Sequence, residues 1–260
     1  MQISDYVDDI ARATGFLSRL PAPARYFNDY DGSLSRASGM FPAAGLVIAL
    51  VPGLAILLLT LLGANAALTV LIALAILIAI TGGLHEDGLA DAADAFGARG
   101  GREHMLEIMK DSRTGTYGVL ALLISFAFRV TALTIILSVL GGWNTFLVVL
   151  AVAAGSRAAI TWHWNELPPA RRDGVAVSAG APDANAATMA LFTGAILFTG
   201  LAAVSTGIMP AILGLGVLAV AVSQWTSIVR RKLNGHTGDT LGASQQIAET
   251  ASLVTLALLV

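Results

Sequence analysis

Two stretches of this chain contain no Asp, Glu, Lys or Arg: Ala37 to Leu84, 48 residues, and Ala184 to Val229, 46 residues. A helix that crosses a bilayer core needs about 20 apolar residues. Each stretch therefore holds two spans and a tight turn. Gly63, Ala64 and Asn65 break the first; Thr206, Gly207 and Pro210 break the second. The segment from about Tyr117 to Ala159 reads as a third pair, broken at Gly141-Gly142 and carrying two charges, Arg129 and Arg157. A last apolar run, Thr250 to Val260, spans only if its helix begins near Gln245, which gives about 16 residues and a marginal seventh span. The expected architecture is all-α: a polytopic integral membrane helical bundle of six to seven transmembrane helices.

Composition agrees. Hydrophobic residues make up 56% and charged residues 12%, about half the charge of a soluble domain, so a water-facing surface is not available. The absence of cysteine excludes disulfides and thiolate chemistry. A net charge of −2 gives no reason to expect nucleic acid as a partner; the bilayer is the partner.

Lys and Arg collect in cytoplasmic loops. Thirteen of the 15 here lie before span one, between spans two and three, between four and five, or after six. The three turns on the opposite side have none. This predicts a cytoplasmic N-terminus, a multi-pass protein, and polar chemistry facing the cytoplasm. The first twenty residues do not read as a signal peptide, because Asp5, Asp8 and Asp9 stand where one would be basic. Ile3, Val7, Ile10 and Leu17 recur at helical spacing, which predicts an amphipathic interfacial helix over 1–20, ended by Pro21 and Pro23. A single domain of residues 1–260 follows, with the bundle from about 40 to 260 and cytoplasmic loops at 85–114, 163–187 and 230–249.

The most informative polar stretch follows span two: Gly82-Gly83-Leu84-His85-Glu86-Asp87-Gly88-Leu89-Ala90-Asp91-Ala92-Ala93-Asp94. Asp87, Asp91 and Asp94 stand at i, i+4 and i+7, one face of a helix. The Gly, Leu and Ala between them supply no counter-charge, and like charges at i, i+4 destabilise a helix. A hard divalent cation reverses that sign, and Mg²⁺ takes carboxylates together with substrate phosphates. These three aspartates are the candidate metal ligands and catalytic acids; the bland alternative is a solvated acidic loop. His85 is a weaker candidate.

A second polar run, Met105 to Gly118, places Lys110 and Arg113 where two cations can meet one phosphate group, although positive-inside anchoring explains them equally well. A third, Asn234-Gly235-His236-Thr237-Gly238-Asp239-Thr240-Leu241-Gly242-Ala243-Ser244, reads as a loop of backbone donors and small hydroxyls, Thr237 and Thr240, able to cradle an anion. Arg157, near the inner end of span four, is placed to reach the same site. Arg129 lies midway through span three; for both arginines a structural pairing with another helix is a serious alternative.

Four motifs in order resemble the cobalamin synthase family, the adenosylcobinamide-GDP ribazoletransferases: Phe16-Leu17-Ser18-Arg19-Leu20-Pro21-Ala22-Pro23, the stretch from Gly82 to Asp91, Leu106 to Arg113 with Gly115, and Gly238 to Ala243. The resemblance covers nearly the whole chain. It implies an inner-membrane transferase late in cobalamin biosynthesis that joins adenosylcobinamide-GDP to α-ribazole, or to α-ribazole 5′-phosphate, with Mg²⁺ as cofactor and GMP released. On that reading Asp87, Asp91 and Asp94 hold one or two Mg²⁺ ions. Lys110, Arg113 and Arg157 balance phosphate charge, and Asp111, Asp239 or His85 serves as general base. The chain itself leaves open a homo-oligomer or association with other enzymes of the pathway. Two rivals remain: a CDP-alcohol-type membrane phosphotransferase, and a polar-solute transporter, which would place its polar groups nearer the midplane.

Overall fold

The computed structural model describes residues 3–27 and 30–260. Ten α-helices occur among them: α1 (Ile3–Leu17), α2 (Phe41–Leu61), α3 (Ala66–Thr81), α4 (Leu84–Gly97), α5 (Arg102–Ile108), α6 (Thr116–Glu166), α7 (Val175–Ser178), α8 (Ala184–Thr206), α9 (Ile208–Leu233) and α10 (Gly238–Leu258). Four segments are long and apolar enough to cross a membrane: Ala37–Leu61, Thr116–Glu166, Ala184–Thr206 and Ile208–Leu233.

The second of these is two spans. Gly141 sits inside α6 at φ 77°, ψ 174°, a conformation that Cβ-bearing residues avoid. On one straight helix Arg129 and Arg157, 28 residues apart, would be about 42 Å from each other. Both instead touch Glu249, at 2.7 Å and 3.6 Å. The chain therefore reverses at Gly141, where the sequence predicts a turn. The other two predicted turns are also present. Gly63 (φ 74°) leads to Asn65, whose side chain accepts from the amides of Ala67 and Leu68 and caps α3. Gly207 (φ 97°) separates α8 from α9. The protein is thus a multi-pass membrane bundle. Its outer face agrees: Leu58, Leu61, Leu123, Phe192, Ile196 and Val204 are all exposed, an apolar surface suited to lipid.

Two elements differ from the sequence expectation. Helix α1 ends at Leu17, ahead of Pro21, and is a packed member of the bundle: Asp9, Ala13 and Leu17 are buried, and Arg36 Nε donates to Asp9 Oδ2 at 2.7 Å. Amphipathic spacing looks the same whether the partner is lipid or protein. Within the segment 85–114, α4 is the helix that the spacing of Asp87, Asp91 and Asp94 supposes, and α5 follows it. The third expected loop shrinks to residues 234–237, because α9 runs to Leu233 and α10 begins at Gly238. At 21 residues α10 measures about 32 Å, long enough to cross. Its start is set by a reciprocal cap, in which Thr237 Oγ1 accepts from the Thr240 amide and Thr240 Oγ1 accepts from the Thr237 amide.

Candidate active site

Helix α4 carries the acids. Gly82 and Gly83, both at positive φ, turn it 86° away from α3, so α4 does not continue the span but lies across one end of the bundle, packed on α10 and α6. The α4–α10 crossing depends on two glycines. A Cβ on Gly88 would stand 2.8 Å from the Asp239 carbonyl oxygen and 3.1 Å from the Gly242 Cα. That approach sets Asp87 beside Asp239, although 152 residues separate them in the chain.

Asp87 lies on the walls of two cavities. One, of about 360 Å³, is also lined by His85, Arg171, His236, Thr237 and Asp239. The other, wider and about 610 Å³, is lined by Ser18, Arg19, Gly83, Glu86 and Thr114 among others. Asp91, one turn further along α4, is partly buried. Burial, with Asp87, Asp239 and Asp94 around it, pushes its carboxyl up to about 7. Such an excess of like charge is the donor chemistry that a hard cation relieves. Among the described residues, no three acids or imidazoles stand close enough to enclose a metal ion by themselves. Mg²⁺ does not need that, since it binds through one or two carboxylates, waters and substrate phosphates.

Asp94 has a different task. It is buried, and its two oxygens accept from the amides of Gly115 (2.6 Å) and Gly118 (2.9 Å). It thereby satisfies orphan donors at the start of α6. The i, i+4, i+7 spacing does put three aspartates along one helix, but the third is consumed in capping a neighbour.

The cations and hydroxyls expected at the site are mostly elsewhere. Lys110 is the exception among the cations: its Nζ is 2.6 Å from Asp173, which lines the smaller cavity, with both side chains half exposed. Arg113 is exposed and chelates Asp111 through Nε and Nη2. That guanidinium lowers the Asp111 carboxyl to about 2, which makes Asp111 a poor base. Arg157 lines neither cavity. It is buried against Glu249 and Ser156, the structural alternative. Arg129 is likewise paired, to Glu86 at 3.0 Å and to Glu249. Thr240 is fully buried, its hydroxyl committed to the α10 cap and 3.2 Å from His163. Thr237 both caps α10 and faces the smaller cavity, its hydroxyl 3.2 Å from Asp239. His85 and Asp239 lie on the wall of the smaller cavity. His85 is buried, and burial together with Arg157 and Arg129 behind it keeps it neutral, well below the usual imidazole range.

Sequence reasoning missed Arg171 and His236. A short bridge joins Pro169 to His236: the Ala170 amide donates to His236 O, and the His236 amide to Pro168 O, each at 2.8 Å. It brings Arg171 Nη2 to 4.0 Å from Asp239. The only sequence signal was an Arg pair after Pro168-Pro169 in a loop where positive charge is the norm. Glu249, Gln245 and Gln246 were missed because they lie in a run that looked like loop.

Fold and site together define a multi-pass helical membrane protein with an acidic, cavity-lined centre at one end of the bundle. Residues 9–257 match the cobalamin-5-phosphate synthase family, and the chain belongs to it. It is 50% identical over 259 residues to the adenosylcobinamide-GDP ribazoletransferase of Sinorhizobium medicae (strain WSM419), covering 99% of this chain and 98% of that one. Identity is 51% over 257 residues to the ribazoletransferase of Rhizobium etli (strain CIAT 652), covering 99% of each chain. The protein of the same name from Brucella ovis is 37% identical over 256 residues, 98% of each chain. No solved structure matches the chain.

Proposed function

We propose that this chain carries out the reaction its relatives are named for, joining adenosylcobinamide-GDP to α-ribazole or its 5′-phosphate with release of GMP, from the cytoplasmic face of the inner membrane. The observation that carries the reading is Asp87 at the junction of two cavities, with Asp239 brought beside it and Asp91 behind it. Two cavities that share an acid suit two substrates that must meet at one phosphorus.

A ribose hydroxyl of the acceptor attacks the phosphorus still joined to the cobinamide arm. The bond from that phosphorus to the bridging oxygen breaks, and its electron pair leaves with GMP. The hydroxyl proton passes to Asp239, on the wall of the smaller cavity, its carboxyl pushed up by burial; His85, held well below the usual imidazole range, is the poorer base. Asp87 and Asp91 would hold Mg²⁺, with Asp239 within reach of the same cluster; when bound, the ion neutralises the diphosphate oxygens and stabilises the departing phosphate. Arg171, whose Nη1 is buried without a hydrogen-bond partner, supplies positive charge where phosphate oxygens arrive. Asp94 fixes the start of α6, so its contribution is to hold α4 in place.

The test is purified protein in vesicles with adenosylcobinamide-GDP and α-ribazole, with and without Mg²⁺, read by GMP release and the mass of the corrinoid product. Asp87→Asn should lower kcat by about 10²–10³-fold, as loss of one charge-stabilising group does, while the protein still inserts. Full turnover by Asp87→Asn, or by wild type without divalent cation, overturns the assignment.

A further inference from the structure

The two cavities that meet at Asp87 differ in kind. The smaller one has a wall of Phe16, Leu17, Ile160, Val177 and Leu241, with its charged groups confined to Asp87, Asp239, Arg171 and Asp173. His85 also faces it. That side chain is 2% exposed, and neither ring nitrogen has a hydrogen-bond partner among the described residues. A buried neutral imidazole carries one donor and one acceptor, and buried polar groups are ordinarily paired. His236, also 2% exposed, lines the same cavity, and its Nδ1 has no hydrogen-bond partner among the described residues. At about 360 Å³ the cavity lies at the lower end of small-molecule sites, which suits a nucleoside and is too small for a corrin ring.

Resting on the function proposed above, we infer that this cavity is the acceptor pocket: it encloses the dimethylbenzimidazole of the ribazole, with His85 donating to the base's one free ring nitrogen. The donor nucleotide then reaches Asp87 from the wider cavity. The chemistry of the two bases decides between them. Dimethylbenzimidazole is apolar at every edge position but one, which a wall rich in aliphatic and aromatic side chains with the unpartnered imidazole of His85 satisfies. Guanine carries an amide, an exocyclic amine, a carbonyl and a ring nitrogen along its edge, and this wall would leave most of them unpaired. The apolar base on the wall places the ribose toward the charged end, where Asp87, Asp239 and Arg171 stand.

Two variants test the inference in the purified full-length protein. Ala176→Trp, on the short helix α7 at the cavity wall, should raise the KM for α-ribazole at least tenfold and leave that for adenosylcobinamide-GDP within twofold. The wild type should bind α-ribazole at least tenfold more tightly than its indole analogue, in which CH replaces the free ring nitrogen. His85→Leu should bind both equally, a readout that loss of general packing would not produce. A higher KM for adenosylcobinamide-GDP in Ala176→Trp, or a ring-nitrogen preference intact in His85→Leu, overturns the pocket assignment while the reaction stands. Absence of turnover by the wild type overturns the proposed function itself. Equilibrium dialysis of α-ribazole against Ala176→Trp still judges the pocket in that case, unchanged binding counting against it.

Discussion

Replacing Glu249 by Gln should be among the most damaging conservative changes available to this chain. Glu249 is 4% exposed and lies between two arginines each 1% exposed: Oε1 is 2.7 Å from Arg129 Nη2, and Oε2 is 3.6 Å from Arg157 Nη1. With Glu86 the cluster holds two positive and two negative charges. Glu249→Gln leaves it with one uncompensated positive charge inside the bundle. Removing one partner of a buried ion pair costs about 3–5 kcal/mol. The partners are unequal, which makes a sharper test. Arg129 keeps Glu86 at 3.0 Å and an acceptor in Gln246 at 3.2 Å, whereas Glu249 is the carboxylate in contact with Arg157. The double variant Arg157→Gln/Glu249→Gln is neutral again and should recover at least half of the loss. Arg129→Gln/Glu249→Gln, also neutral, strands Arg157 and Glu86 apart and should recover much less. The assay is reversible unfolding by SDS in mixed micelles, followed by tryptophan fluorescence. Additive losses in both doubles, or equal rescue, would refute the reasoning.

Other outcomes follow from the same geometry. Asp94→Ala removes the acceptor from two amides at the head of α6 and should destabilise the protein by about 1–3 kcal/mol, with Asp94→Asn milder in the same unfolding assay. Gly88→Ala forces the α4–α10 crossing apart, since its Cβ would lie 2.8 Å from the Asp239 carbonyl; turnover should fall at least about tenfold in a protein that still inserts, and wild-type rates would show that the crossing does not set the site. Arg113→Ala should leave turnover within twofold, because that side chain is exposed and engaged with its neighbour Asp111; a large rise in KM would return it to the phosphate site.

The turns and spans were legible because they follow from one-dimensional facts. A helix in lipid must be apolar for about 20 residues, and Gly141, Gly63 and Gly207 interrupt such runs where the chain reverses. The acids of α4 were legible as a face, but not their division of labour. Asp94 and Asp87 look equivalent by spacing, and only the approach of Gly115 and Gly118 from α6 makes one a cap and leaves the other free. Arg129 and Arg157 could be seen as costly and in need of partners, while the partner itself was hidden. Glu249 sits in a stretch of Gln, Glu, Ser and Thr that hydropathy assigns to water. In the structure those residues are buried against other helices rather than lipid, so a scale calibrated on lipid transfer misreads them.

That buried polar stripe also explains how one end of a lipid-embedded bundle keeps its aspartates in register. Association of helices in a bilayer gains little from hydrophobicity and relies on close packing and polar contacts. Asp239, Gln246 and Glu249 lie at i, i+7 and i+10 on α10, one stripe of that helix. Its upper member faces the cavity; its lower members hold Glu86 and Arg129, through Gln246 Nε2 to Glu86 at 3.2 Å and Glu249 to Arg129. Glu86 precedes Asp87 on α4. A shift of α4 along α10 would therefore break the Glu86 contacts and separate Asp87 from Asp239 together. The buried charges work as a register pin for the site above them, a use for which buried polar groups are best attested. On this account Glu86→Gln, which stays close to isosteric but like Glu249→Gln leaves the cluster with one excess positive charge, should lower stability and also lower the turnover of the molecules that remain folded. The comparison is kcat against the SDS unfolding midpoint in the same preparation. A variant that loses stability while its folded fraction turns over at the wild-type rate would separate the pin from the site.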